Sequence, residues 1–263
     1  MGKVRIILSD PQVLFREGVH FTLSYEEDFE VAGETTSNEE ALALIEADPP
    51  SVAILNMGDG KLDGPAVTQR IKRNLPSVSV ILIMDHEDEE QVLAGIKSGA
   101  SACLSKDIDP EHLIDIVTEV VKGTQPVIEQ MLTPGLASRA LAEFEGLPAL
   151  GEEVNTLLAR PSPSETEVLK CLAAGQGIEQ AAAKLSSDES AIRHQLGVIV
   201  NKLVANERSL SLIKAMERSF PSIISSMIMI GKPEKYITKA EFNSFKESLI
   251  QHLKPLIGET VSK

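Results

Sequence analysis

The sequence predicts an α/β chain: a (βα)5 parallel sheet, then an all-α helix-turn-helix domain with a helical C-terminal extension. Three observations predict it. Short aliphatic runs alternate with helix-period segments over residues 1–124. From Pro163 onward only helical periods recur. The 263 residues, at roughly 150 per domain, suggest two domains.

Val4–Leu8 reads as the first strand and Val13–Ser24 as the first helix. Phe29–Ala32 then pairs with a helix over Ser37–Ala47, which Thr36-Ser37-Asn38-Glu39 can cap. Strand Val52–Leu55 leads to helix Gly64–Asn74, strand Val78–Met84 to helix Asp88–Ser98, and strand Ala102–Leu104 to helix Asp109–Lys122. Gly99 and Gly123 sit where helices end, and Asp109-Pro110-Glu111 places proline at a helix start. Helices are expected to cover both faces of the parallel sheet.

Residues 125–161 form an expected linker, with four prolines and one short helix over Gly135–Phe144. In the domain expected over 162–220, Pro163-Ser164-Glu165-Thr166-Glu167 starts a helix, with Ser164 and Glu167 at capping-box spacing; a start one or two residues away fits equally. Ile178–Leu185, Asp188–Leu203 and Ser209–Arg218 follow as helices. Ala182, Leu185, Ile192, Leu196 and Ile199 supply an internal seam, leaving the other side of Asp188–Leu203 open to DNA. In the extension over 221–263, Phe242, Phe245, Leu249 and Leu253 line one face of a helix from Lys239 to Leu256. Either packing within the chain or a dimer contact would bury that stripe.

Charge is uneven. Residues 1–124 hold 10 Lys/Arg against 23 Asp/Glu, whereas residues 210–263 hold 8 against 5. The net charge of −14 excludes a protein coated in positive charge for non-specific nucleic-acid or acidic-membrane binding, so phosphate contacts are expected from the second half. Cys103 and Cys171 lie in different domains without metal-ligand spacing, so neither a disulfide framework nor a structural metal is expected. No segment approaches about 20 uninterrupted apolar residues and no secretory signal opens the chain, so a cytoplasmic location without membrane contact is expected.

Residues 3–220 resemble a response regulator of the NarL/LuxR class: a receiver, then a four-helix DNA-binding domain of LuxR type. The resemblance rests on LSDPQVLFREG, LNMGDGKLDG, Gly99-Ala100 and LSKD in the first half. In the second half it rests on PSPSETEVLKCLAAGQGIEQAAAKLSSDESAIRHQLGVIVNKL. It implies a degenerate phosphorylation site. Asn56 stands where the phosphoacceptor aspartate is expected, and its amide supplies no carboxylate nucleophile. Asp10 and Pro11 stand at the paired acidic positions, so one carboxylate remains and magnesium is expected to bind weakly or not at all. Met84 replaces the switch Thr or Ser and cannot donate a hydrogen bond; packing explains it more simply than ligand sensing. Lys106 retains the family lysine.

For DNA, the resemblance places Ala191, Ile192, Arg193 and Gln195 at the recognition face, with Lys202 as a possible backbone contact or a solvated charge. Arg193 is the strongest contact candidate. Glu179, before the turn, opposes phosphate attraction. The expected function is a non-enzymatic, DNA-binding transcription regulator controlled without conventional aspartyl phosphorylation, without cofactor. Its expected partners are double-stranded DNA, a second copy in a homodimer and a protein regulator. The alternative is an adaptor that acts through protein contacts alone.

Overall fold

The computed structural model describes residues 2–58, 62–147 and 157–219, with side chains to 215. Five strands, β1 (Val4–Ser9), β2 (Phe29–Thr35), β3 (Val52–Asn56), β4 (Ser79–Met84) and β5 (Ala102–Ser105), form one parallel sheet in the order 2-1-3-4-5. Helices α1 (Val13–Ser24), α2 (Asn38–Ala47), α3 (Gly64–Asn74), α4 (Glu89–Ser98) and α5 (Pro110–Val121) connect them. The (βα)5 expectation holds element by element; β2 runs three residues beyond the expected end, where Gly33–Thr35 pairs with Ile7–Ser9 past a register shift.

Alternation along the strands sorts side chains to two faces. Ile6, Leu8, Ile54, Ile81 and Ile83 meet Val19 and Leu23 of α1 and Leu113, Val117 and Val120 of α5. Ile7, Ala53, Leu55, Val80, Leu82 and Met84 meet α2, α3 and α4. The second layer does not stop at the sheet domain. It continues without a break through α6 (Val127–Gln130) and α7 (Pro134–Gly146) into α8 (Pro163–Ala173), α9 (Ile178–Lys184) and α10 (Glu189–Ser219). Met1–Ala215 is accordingly one compact unit.

Local chemistry sets the boundaries. Ser37, Asp63, Asp88 and Asp109 each cap a helix by accepting a backbone N–H, and Gly99 ends α4 at φ +93°, a geometry that disfavours side chains. The capping box of α8 is Ser162 with Glu165, two residues earlier than Ser164 with Glu167, because Pro163 takes the first helical position. The helices expected over Asp188–Leu203 and Ser209–Arg218 are one continuous helix, α10: Val204–Arg208 contains neither Gly nor Pro to interrupt it. The expected helix Lys239–Leu256 lies outside the described residues. Among the described residues no helix is long and apolar enough to cross a membrane, and Cys103 and Cys171 are free and buried.

Candidate functional site

Two places gather functional side chains: the C-terminal edge of the sheet and the face of α10. In open parallel sheets the crevice lies where strand order reverses, here between β1 and β3. Asp10 follows β1 and Asn56 closes β3, and the pairing of Ser9 with Leu55 sets the two side by side. Lys106 arrives from the end of β5, where its N–H donates to Met84 O at 2.9 Å.

The side chains bind one another. Asn56 Nδ2 donates to Asp10 Oδ2 at 2.6 Å, while Asn56 Oδ1 accepts from Gly58 N at 2.7 Å. That geometry identifies the nitrogen as the atom facing the carboxylate. Lys106 Nζ lies 2.9 Å from Asp10 Oδ2 and 3.1 Å from Oδ1, and 2.7 Å from Asp85 Oδ1. Gln12 N donates to Asp10 Oδ1 at 2.7 Å. Asp10 is 1% exposed, so burying its charge depends on these donors. Burial works to lower the Lys106 pKa, but hydrogen bonds to Asp85 and Asp10, with their charges, outweigh it and hold the ammonium above the usual lysine value.

Met84 and Pro11 take no part. Met84 is 2% exposed and packs on the α3–α4 side of the sheet with Val80 and Leu82, whereas Ile81 faces α1 and α5. Pro11 is exposed and has no N–H to give. Nor does the arrangement fit a divalent cation. Among the described residues at the sheet edge Asp10 is the one buried carboxylate, both its oxygens are held by Lys106, Asn56 and Gln12, and the ammonium already supplies the positive charge. Among the described residues no group of three His, Cys, Asp or Glu could hold a metal.

On α10, burial separates the candidate residues. Ile192 is fully buried with Leu196, Ile199 and Leu203, in one apolar cluster with residues of α8 and α9, so it belongs to the seam and not to an exposed face. Ala191 is half-buried. Arg193 Nε donates to Glu129 Oε1 of α6 at 2.8 Å and Nη1 to Glu189 Oε2 at 3.0 Å. Hydrogen bonds to Glu189 and then Glu129 raise its pKa. Gln195 Oε1 accepts from Ser164 Oγ at 3.2 Å, and Lys202 Nζ pairs with Glu165 Oε2 at 2.6 Å. Beside Arg193, a Cβ built on Gly197 would lie 3.3 Å from Ile128 Cδ1, so α6 leans on this side of the helix. Ser190, His194 and Asn201 are exposed.

Residues 6–118 match the response regulator receiver domain. The span runs from β1 into α5 and includes Asp10, Asn56 and Lys106. Similarity to curated relatives extends past it. The transcriptional regulatory protein DegU of Brevibacillus brevis is 25% identical over 233 residues, covering 84% of this chain and 97% of that protein. The probable transcriptional regulatory protein NarL of Mycobacterium tuberculosis (strain ATCC 25618 / H37Rv) is 29% identical over 216 residues, covering 82% and 95%. Among solved structures, the receiver domain of the putative response regulator NarL from Mycobacterium tuberculosis is 32% identical, covers 47% of this chain and 99% of that one, and has a TM-score of 0.45. RcsB from Salmonella enterica serovar Typhimurium, bound to promoter P1flhDC, is 24% identical over 77% of this chain and 93% of that one, with a TM-score of 0.43.

The C-terminal edge of the sheet thus brings together Asp10, Asn56 and Lys106 and leaves Pro11 and Met84 apart. Sequence reasoning missed Asp85 and Gln12 at the sheet edge, and Glu129, Glu189, Ser164 and Glu165 around the helix. For Glu189 a signal existed: it stands four residues before Arg193, the spacing of an intrahelical ion pair.

Proposed function

We propose that the chain is a DNA-binding transcription regulator of the response-regulator kind, whose receiver domain is degenerate and works without aspartyl phosphorylation. One observation carries the reading: the Asn56 amide donates to Asp10 where phosphoryl transfer would need a second carboxylate. An amide nitrogen has its lone pair delocalised into its carbonyl and is no nucleophile toward phosphorus, and Lys106 is engaged by Asp10 and Asp85. The relatives DegU and NarL carry the transcriptional part of the proposal. Control then falls to protein association, abundance or an effector. A homodimer would present two α10 helices to half-sites about 34 Å apart.

The second reading, an adaptor that contacts proteins only, is favoured by the occupation of Arg193, Gln195 and Lys202 within the chain and by the burial of Ile192. Binding of the full chain to genomic fragments recovered from native cells separates the two. The regulator is expected to bind saturably at low salt, equally with and without a small phosphodonor and Mg²⁺. Arg193→Ala is expected to weaken binding about tenfold, the loss of one bidentate base contact. Absence of saturable binding at low salt establishes the adaptor instead, and a gain of affinity on adding phosphodonor rejects phosphorylation-independent control.

A further inference from the structure

The two carboxylates on Arg193 are not equivalent. Glu129 belongs to α6, 64 residues away in sequence, and leaves the guanidinium whenever α10 leaves α6. Glu189 is in the first turn of α10 itself, one helical turn from Arg193, so it travels with Arg193 when α10 moves. Its acidic side chain is also at home there, because the helix N-terminus favours negative charge. Asp188 caps the same turn by accepting from Ala191 N at 2.7 Å.

The atoms engaged decide what Arg193 can offer. Glu189 holds Nη1, while Glu129 occupies Nε. Departure of Glu129 opens the side of the guanidinium that carries Nε and Nη2, two parallel donors. These match the paired acceptors O6 and N7 of guanine. Meanwhile the retained carboxylate cancels most of the arginine charge, which is what attracts phosphate without regard to sequence.

We infer that Glu189 is a specificity-determining positioning residue: it holds the Arg193 guanidinium by one nitrogen, suppresses its attraction to phosphate and aims the opposite edge at a guanine. The inference rests on the DNA-binding reading above. It predicts that the charge, not only the shape, of residue 189 controls discrimination. A carboxylate that served α10 only as a helix-terminal charge would alter stability and leave base preference untouched.

The test uses the full-length chain and two probes: a pool of 30-base-pair duplexes of random sequence, and the sequences enriched from that pool by repeated binding. Glu189→Gln is expected to bind the random pool more tightly and to steepen its salt dependence by about one phosphate contact. That corresponds to roughly a threefold to fourfold larger loss between 50 and 200 mM salt. The sequences enriched by the wild type are expected to contain a guanine position that Glu189→Gln and Arg193→Ala both relax. Wild-type binding with an unchanged salt slope and unchanged base preference in Glu189→Gln overturns the inference and leaves the DNA-binding reading intact. No saturable binding by the wild type or by Glu129→Gln, whose Arg193 is released from α6, overturns both.

Discussion

Asp10 and Lys106 are coupled through burial. Asp10 is almost completely enclosed, and of its donors only Lys106 brings a full positive charge, so removing the ammonium strands a carboxylate away from water. Lys106→Met is expected to destabilise the fold by about 3 kcal/mol in urea unfolding, and Asp10→Asn in the same chain to recover most of that loss. A loss as large in the double variant would show that Lys106 acts through its contact over the Phe15 ring, whose centre lies 5.2 Å from its nitrogen, and not through Asp10. The sign of the pH dependence follows from the raised lysine pKa. A group held more basic in the folded state contributes fully below its ordinary value, so this pair stabilises unchanged through neutral pH. The contribution is lost only as pH climbs through the raised value. Residue identity made part of this site legible: at the positions the resemblance assigns them, Asn56 and Pro11 offer no carboxylate and Met84 no hydrogen-bond donor. Which atoms touch was not legible, because Asp85 meets Lys106 through a fold contact that no local pattern encodes.

At the scale of elements, the strands were the most readable feature. Aliphatic runs bounded by Pro, Gly and capping residues leave few alternatives, and only their last residues differ. The α8 start was ambiguous because Ser-x-x-Glu occurs twice in register-shifted copies; Pro163 breaks the tie, since it lacks the N–H that an interior helical position must donate. The continuity of α10 was obscured by reading two amphipathic segments as two helices, although their apolar faces merge. What binds α10 to the incoming chain is Asn206: its Oδ1 accepts from Ala159 N at 2.7 Å and its Nδ2 donates to Ala159 O at 2.9 Å, with the residue 6% exposed. Asn206→Ala leaves both backbone groups of Ala159 unpaired. It is expected to cost about 2 kcal/mol and to accelerate amide hydrogen exchange at Ala159 and along α8. Unchanged exchange there would mean that the apolar seam alone positions the segment.

Across the whole unit Met1–Ala215, the apolar layer under α2, α3 and α4 runs unbroken into α8 and α10, and ion pairs stitch its edge. Lys97 of α4 reaches Glu143 of α7 at 3.0 Å and Glu207 of α10 at 3.2 Å; Arg139 of α7 reaches Glu89 of α4 at 3.2 Å. These partly exposed pairs weaken with salt, whereas the apolar contact does not. The sheet and the helices α6 to α10 that share its layer are therefore expected to unfold in one cooperative calorimetric transition, and two resolved transitions would show that the shared layer does not couple them. The same coupling carries the functional proposal, because a state of the sheet edge reaches α10 only through packed elements that both share. That proposal turns on whether the sheet edge accepts phosphate. Intact-mass measurement of the full-length chain after incubation with a small phosphodonor and Mg²⁺ tests this directly. An unchanged mass is predicted; a stoichiometric phosphoryl adduct within residues 1–124 would contradict the account.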